Sequence, residues 1–291
     1  MKIDNFDVRG EGVILAPDNV SVDGVVDIRF GSDSKIIIGD YVKFGKGVKI
    51  VSNGGDIHIG DWTTIHDNTL ILSGVGVEIG QHCWFGQSCV LDGTGGLKID
   101  DGVRVGMYSQ VWSHVAAGEL IEGCTLFSTN RVHLEKDVWL VGSCSVGSGV
   151  KIGCRTICLN GSNITRDLED NIVVSGSPAK RLKGVSFYKS ISLDKKMTLL
   201  NEWLCDYIES SDETLSMSIE ADGKQIFVRS STDELIIFKN YDEYLAHQGY
   251  GVVSKLCVEN KVYNKSGLQL EERIVDFLRG NKARFYYNEL S

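Results

Sequence analysis

Residues Leu134 to Lys183 read LEKDVWLVGSCSVGSGVKIGCRTICLNGSNITRDLEDNIVVSGSPAKRLK, and their apolar residues recur every sixth position: Leu134, Leu140, Val146, Ile152, Cys158 and Ile164. A small or β-branched residue sits four places after most of these, as Val138, Val150, Thr156 and Ser162, and glycine follows in Val146-Gly147 and Ile152-Gly153. A step of six is the period of neither a helix nor a simple strand. It fits a short strand, a corner and another short strand, with the apolar residue pointing inward and the small one filling the corner.

The same step runs backward through Ile38, Phe44, Ile50, then Ile59, Ile65, Ile71, then Ile79, Phe85, Leu91, then Ile99, Val105, Val111, with a degenerate set at Leu120, Leu126, Val132. The triplets begin at 38, 59, 79 and 99, so a coil takes about 20 residues. Coils stacked in this way pair as parallel strands about 4.8 Å apart. Each buries its apolar side only against its neighbours. The expectation is a triangular parallel β-helix.

Composition agrees with a folded chain and marks a boundary. Of the 33 glycines, 28 fall in residues 1–184 and 5 in 185–291, and both prolines, Pro17 and Pro178, lie in the first part. Two domains are expected, 1–184 and 185–291. Hydrophobic residues make up 42% and charged residues 24% of the 291, ordinary for a soluble protein. A net charge of -9 gathers neither nucleic acid nor an anionic membrane, so neither is an expected partner. No apolar run reaches the length of a membrane span. The start, MKIDNFDVRGEG, lacks a basic and then apolar leader, and the cytoplasm is the expected location.

Eight cysteines are present without a CxxC pair. Cys83, Cys89, Cys124 and Cys144 fall in the small corner slot and Cys158 in the apolar slot. They read as buried small hydrophobes.

These repeats and the closing Gly176-Ser177-Pro178-Ala179-Lys180 resemble the hexapeptide-repeat acyltransferases, whose helix ends with a V-W-I-G run, further hexapeptides and G-x-P-A-K. The resemblance covers about residues 28–184 and is strongest to sugar and polysaccharide O-acetyltransferases. Val141 stands where the family has Gly, and Cys158-Leu159 where it has Ile-Gly. The resemblance implies a left-handed helix, against the usual hand of parallel crossovers, acetyl-CoA as donor, a sugar or glycan acceptor and a homotrimer.

His114 is the candidate base. It lies three residues after the inward Val111 and so points outward, just before VAAGELIEG (115–123), where the six-step weakens and a site can open. The family carries its catalytic histidine about 25 residues before the V-W-I-G tryptophan, the separation of His114 from Trp139. A sugar hydroxyl is a poor nucleophile at neutral pH. A neutral imidazole, with a pKa near 6.5, can take its proton during attack on the thioester. A backbone carbonyl or Glu119 could orient the ring. The other histidines, His58, His66 and His82, read as surface residues, whereas His133 is a candidate for the substrate side.

The resemblance further implies that CoA runs along a groove between two subunits. It would meet Gly142, Asn160 and Ser162, with Lys180 and Arg181 toward the nucleotide phosphates and Trp139 flanking. Asp92 and Trp112, one coil apart, are expected to stack as an acidic and aromatic floor for a sugar. His114 and His133 lack a third histidine at coil spacing, so no metal site is expected.

Residues 185–291 lose the six-step. Ser192–Ser210 carries a helical stripe through Met197, Leu200 and Leu204, Thr214–Ser230 alternates as a hairpin around Asp222-Gly223, and Asp233–Lys239 reads as a strand. With a helix expected at Leu268–Leu278 and a strand at Ala283–Tyr287, this is a small α+β domain. Three functions fit the whole: an acetyl-CoA-dependent sugar O-acetyltransferase in surface polysaccharide synthesis, an N-acyltransferase of a nucleotide-linked amino sugar, and a non-catalytic β-helix scaffold.

Overall fold

The computed structural model describes residues 5–116, 118–211, 215–219, 223–247 and 252–287. The chain divides into two compact units, Met1–Tyr188 and Lys189–Ser291.

The first unit is the three-sided parallel β-helix that the repeats suggest. Its chain visits three flat faces in turn. The first face begins with Phe6–Arg9 and holds eight strands, the second begins with Val13–Leu15 and holds seven, and the third begins with Ser21–Val22 and holds nine. The register stacks inward residues in columns. On the first face Ile28, Ile50, Ile71, Leu91, Val111, Val146 and Ile164 follow one another directly. All seven are fully buried. The coils start near Phe6, about one turn before the resemblance does, because Val8, Val13 and Leu15 stay exposed and blur the early pattern.

The corner slots explain the small polar residues. Carbonyls at a corner leave the strand ladder and need another donor. Thr63 and Thr69 donate to the carbonyls of Gly80 and Gly86 one coil on, at 2.9 and 3.1 Å. The Cys83 and Cys89 thiols do the same toward Asp100 and Gly106, at 3.2 and 3.4 Å. Burial pushes the Cys89 thiol up to about 11 and raises that of Cys158 as well, so these thiols are inert at neutral pH. Cys124 departs from the expectation and lies half-buried in an inserted loop.

That loop replaces the degenerate triplet. Residues His114–Ala116 and Phe127–Thr129 form an antiparallel hairpin with a short 3-10 turn, Leu120–Glu122, at its tip. Leu120 and Leu126 are 67% and 57% exposed, so the six-step is not met there, and the helix resumes in register at Val132–Leu134. His82 also differs from its surface expectation. It is buried in a corner where Tyr41, Trp62 and His82 all hold positive φ, and their rings stack, Tyr41 on Trp62 at 4.1 Å and Trp62 on His82 at 6.2 Å.

Coil stacking is close enough to forbid side chains at some corners. A Cβ on Gly106 would lie 1.9 Å from the Val141 carbonyl oxygen. Gly106→Ala should cost about 1–3 kcal/mol through overpacking and lower the Tm by several degrees. Thermal unfolding followed by circular dichroism checks this, and an unchanged Tm would contradict the stacking.

The second unit carries the helix Leu193–Ser210, capped by the Ser192 hydroxyl, which accepts from the Lys195 amide at 3.2 Å. A six-stranded mixed sheet runs in the order Ser216–Ile219, Gln225–Arg229, Glu234–Phe238, Ser254–Cys257, Val262–Tyr263, Tyr286–Tyr287. The first two strands pair antiparallel, as a hairpin requires; Thr214 and Asp222 lie outside the described residues. The helix Gln269–Leu278 falls where a helix is expected, at Leu268–Leu278. The short helix Tyr241–Ala246 and the strand Ser254–Cys257 gave no sequence signal. No helix among the described residues is long and apolar enough to cross a membrane.

Candidate active site

The corner between the first and second faces brings Asp92 and His114 together. Asp92 follows the inward Leu91 on the strand Val90–Gly93. Its side chain leaves the core, yet it has no exposure, because Thr94 and the next coil's Ser113 and His114 close over it. One carboxylate oxygen, Oδ1, accepts from the Thr94 amide at 3.1 Å and the Thr94 hydroxyl at 2.5 Å. Oδ2 accepts from the Ser113 amide at 2.8 Å, the Ser113 hydroxyl at 2.9 Å and the His114 amide at 3.1 Å. Its remaining contact is with His114 Nδ1, at 2.7 Å.

Burial alone raises the Asp92 pKa, but the bonds from Thr94, His114 and Ser113 outweigh it and hold the carboxylate below its ordinary range. An ionised Asp92 accepts only, so Nδ1 of His114 must carry a proton. The lone pair then resides on Nε2, the tautomer a general base needs. The His114 side chain is 37% exposed, so the ring remains open to solvent on the side away from Asp92. Trp112 stands edge-on to it, ring centres 6.2 Å apart, and donates its indole N–H to Gln110.

Ser113 is the keystone of this corner. Its hydroxyl accepts from the Gly95 amide at 2.8 Å, and its carbonyl accepts from the Asn130 amide at 2.9 Å and the Ser148 hydroxyl at 2.8 Å. His114 is therefore held by three successive coils rather than by the loop that follows it.

The other expected residues fall in three places. His133 projects from the second face and its Nε2 meets Asp100 at 2.9 Å, so its carboxylate partner differs from that of His114. Gly142 and Asn160 stack at the corner between the third and first faces; a Cβ on Gly142 would lie 2.9 Å from Asn160 Oδ1. Asn160 is exposed there. Ser162 is buried, and its hydroxyl donates to the Leu159 carbonyl at 2.5 Å, so its side chain serves the corner and is closed to a ligand. Trp139 projects from the third face and is 41% exposed. Lys180 and Arg181 form an exposed strand antiparallel to Val173–Ser175, with Arg181 3.3 Å from Glu169.

Two expectations change. Asp92 is no open floor for a sugar, because it is fully enclosed, and it, rather than Glu119, meets the His114 ring. The usable signal was spacing: Asp92 lies 22 residues before His114, about one coil, with Thr94 two residues on. Among the described residues, a group within metal-ligand range is Glu135, Cys154 and Asp170, in which Lys151 holds Glu135 at 2.7 Å; neither His114 nor His133 belongs to it.

A six-residue repeat folded as a parallel β-helix is the feature by which this chain resembles the hexapeptide-repeat acyltransferases. No protein-family model matches the chain. It is similar to a galactoside O-acetyltransferase of Lactococcus lactis, 26% identical over 149 residues, half of this chain and 62% of that protein. The chain thus spans about three-fifths of that relative's length. Among solved structures it is similar to the polySia-specific acetyltransferase NeuO (16% identity, TM-score 0.45, covering 70% of this chain and 99% of that one). It is also similar to AntD, an N-acyltransferase from Bacillus cereus (22% identity, TM-score 0.46, covering 58% and 91%). Likenesses this loose define no residue's role.

Proposed function

We propose that this chain transfers an acetyl group from acetyl-CoA to a sugar hydroxyl, with His114 as general base and Asp92 as its positioning residue. The observation that carries this is the enclosed Asp92 holding Nδ1 of a part-exposed imidazole. The name of the galactoside O-acetyltransferase relative supports acetyl transfer to a sugar hydroxyl.

In the step itself, Nε2 takes the hydroxyl proton as the sugar oxygen attacks the thioester carbonyl. The C–S bond then breaks, and the proton returns from His114 to the departing CoA sulfur. Asp92 stabilises the imidazolium in between and keeps the ring in place. A backbone N–H is the donor such an oxyanion needs.

The donor groove we assign to Trp139, Gly142 and Asn160, with Lys180 and Arg181 meeting the phosphates as charge-assisted donors. These residues lie on the third face and its corner with the first, whereas His114 lies at the corner of the first and second faces. A site that uses both sets is completed by a second copy of the chain, which suits a cyclic trimer. The product belongs with surface polysaccharide synthesis in this reading.

The test is thiol release from acetyl-CoA across a panel of sugars and oligosaccharides. An O-acetyl ester is freed by mild alkali, whereas an amide survives it and would indicate N-acylation. Absence of release with every acceptor would count against the reading. Lys180→Ala combined with Arg181→Ala should weaken acetyl-CoA binding about tenfold or more, the loss of a charge-assisted contact. Unchanged affinity would remove both residues from the donor site.

A further inference from the structure

The outer sides of the second and third faces differ sharply in chemistry, although both are flat parallel ladders of one helix. Outward from the second face the register runs His58, Glu78, Lys98, His133, Lys151, an ordinary solvated column of charges. Outward from the third face it runs Thr64, Trp84, Arg104, Trp139. Trp84 and Trp139 are 38% and 41% exposed, and the His66 ring fixes Trp84 edge-on at 5.1 Å. Beyond Trp139 the column closes: Ile157 and Val173 are buried. Two part-exposed indoles, with Arg104 between them in the register, are thus confined to one open stretch.

We propose that this stretch is a subsite for the acceptor, and that it takes an oligosaccharide carrying a carboxylate. Indole faces stack on the C–H faces of pyranose rings, burying apolar area while hydroxyls remain wet. The strands are about 4.8 Å apart, so Trp84 and Trp139 stand about 10 Å apart along the column. That is wider than one sugar ring, and it calls for a chain of linked sugars. Arg104 lies under the middle of such a chain. Whatever it gives to its own protein, a guanidinium has five donors in a fork that fits a carboxylate.

The arrangement has a direction. Trp139 precedes Gly142 by three residues, at the proposed donor groove, and Trp84 lies two coils away. The sugar to be acetylated sits at the Trp139 end and the rest of the glycan extends over Arg104 to Trp84. The link to catalysis rests on the transferase reading above, whereas glycan binding is measurable without it.

The test is retention on an array of oligosaccharides graded in length and in carboxylate content. It compares wild type, Trp84→Ala and Arg104→Gln, with light scattering and acetyl-CoA titration of each. The expected result is preferential retention of carboxylate-bearing chains of three or more units. Trp84→Ala should lose it at least tenfold, and Arg104→Gln should lose the preference for acid over neutral chains. Both variants should keep the wild-type mass and acetyl-CoA affinity. No retained glycan, equal retention of neutral chains, or single sugars held as tightly as long ones would overturn the proposal. So would dissociation of either variant into smaller species, since a second copy would then be the occupant of this face. Acidic glycans retained by a protein that binds no acetyl-CoA would sink the transferase reading and leave this one standing.

Discussion

Replacing His114 with alanine should cut the rate of acetyl transfer by roughly 10²–10⁴-fold, the usual contribution of a positioned general base. The affinity for acetyl-CoA should stay as it is, because the proposed donor contacts, at Trp139, Gly142 and Asn160, lie at another corner. The His114 ring contributes nothing to the core: it is part-exposed, and its coil is anchored by Ser113, Asn130 and Ser148. The variant should therefore unfold near the wild-type temperature. Steady-state thiol release beside a melting curve separates the two effects. A rate within a few-fold of wild type would remove His114 from the chemistry.

Asp92→Asn should be nearly as damaging, for two reasons that can be told apart. An amide nitrogen facing Nδ1–H cannot accept its proton, so the ring turns or takes the wrong tautomer; a comparable exchange in serine proteases costs about 10⁴-fold. The amide must also meet donors on the Thr94, Ser113 and His114 sides with only one accepting oxygen. A buried donor without a partner costs about 1–3 kcal/mol. Activity should collapse with only a moderate loss of Tm, whereas a purely structural aspartate would lose Tm and activity together.

The acid side of the pH profile follows from the same cluster. The folded-state pKa of Asp92 is depressed. Its contribution to stability is therefore complete above the unfolded value near 4 and is lost only as pH falls through the lower folded value. Asp92 itself stays ionised between about pH 5 and 8, so any fall in rate there comes from another group. The melting temperatures of wild type and Asp92→Asn should converge only as pH falls below about 4.

The fold was legible because a hexapeptide step is local and redundant: each of the columns through Ile50, Ile79 or Phe85 repeats one rule many times. The rule also placed His114 outward and marked the break after it. It could not reveal what covers an outward residue. Asp92 occupies an outward position on its strand, and only the fold of the next coil encloses it. The same limit applied to His82, whose burial comes from a stack of rings at left-handed corner positions. Ser162 shows the converse. It already stood in the small corner slot, and that slot, rather than a ligand, uses its hydroxyl. The inserted hairpin was visible as a weakening of the period, but its antiparallel pairing of His114 with Thr129 joins residues that no repeat relates.

Acetyl transfer by this β-helix requires a donor site, and the most direct measurement is isothermal titration of the folded protein, residues 1–291, with acetyl-CoA. The prediction is saturable binding in the micromolar range, one site per chain, retained in His114→Ala. A folded protein that takes up no heat and binds no acetyl-CoA would contradict the assignment of acetyl transfer, whatever the geometry of His114 and Asp92.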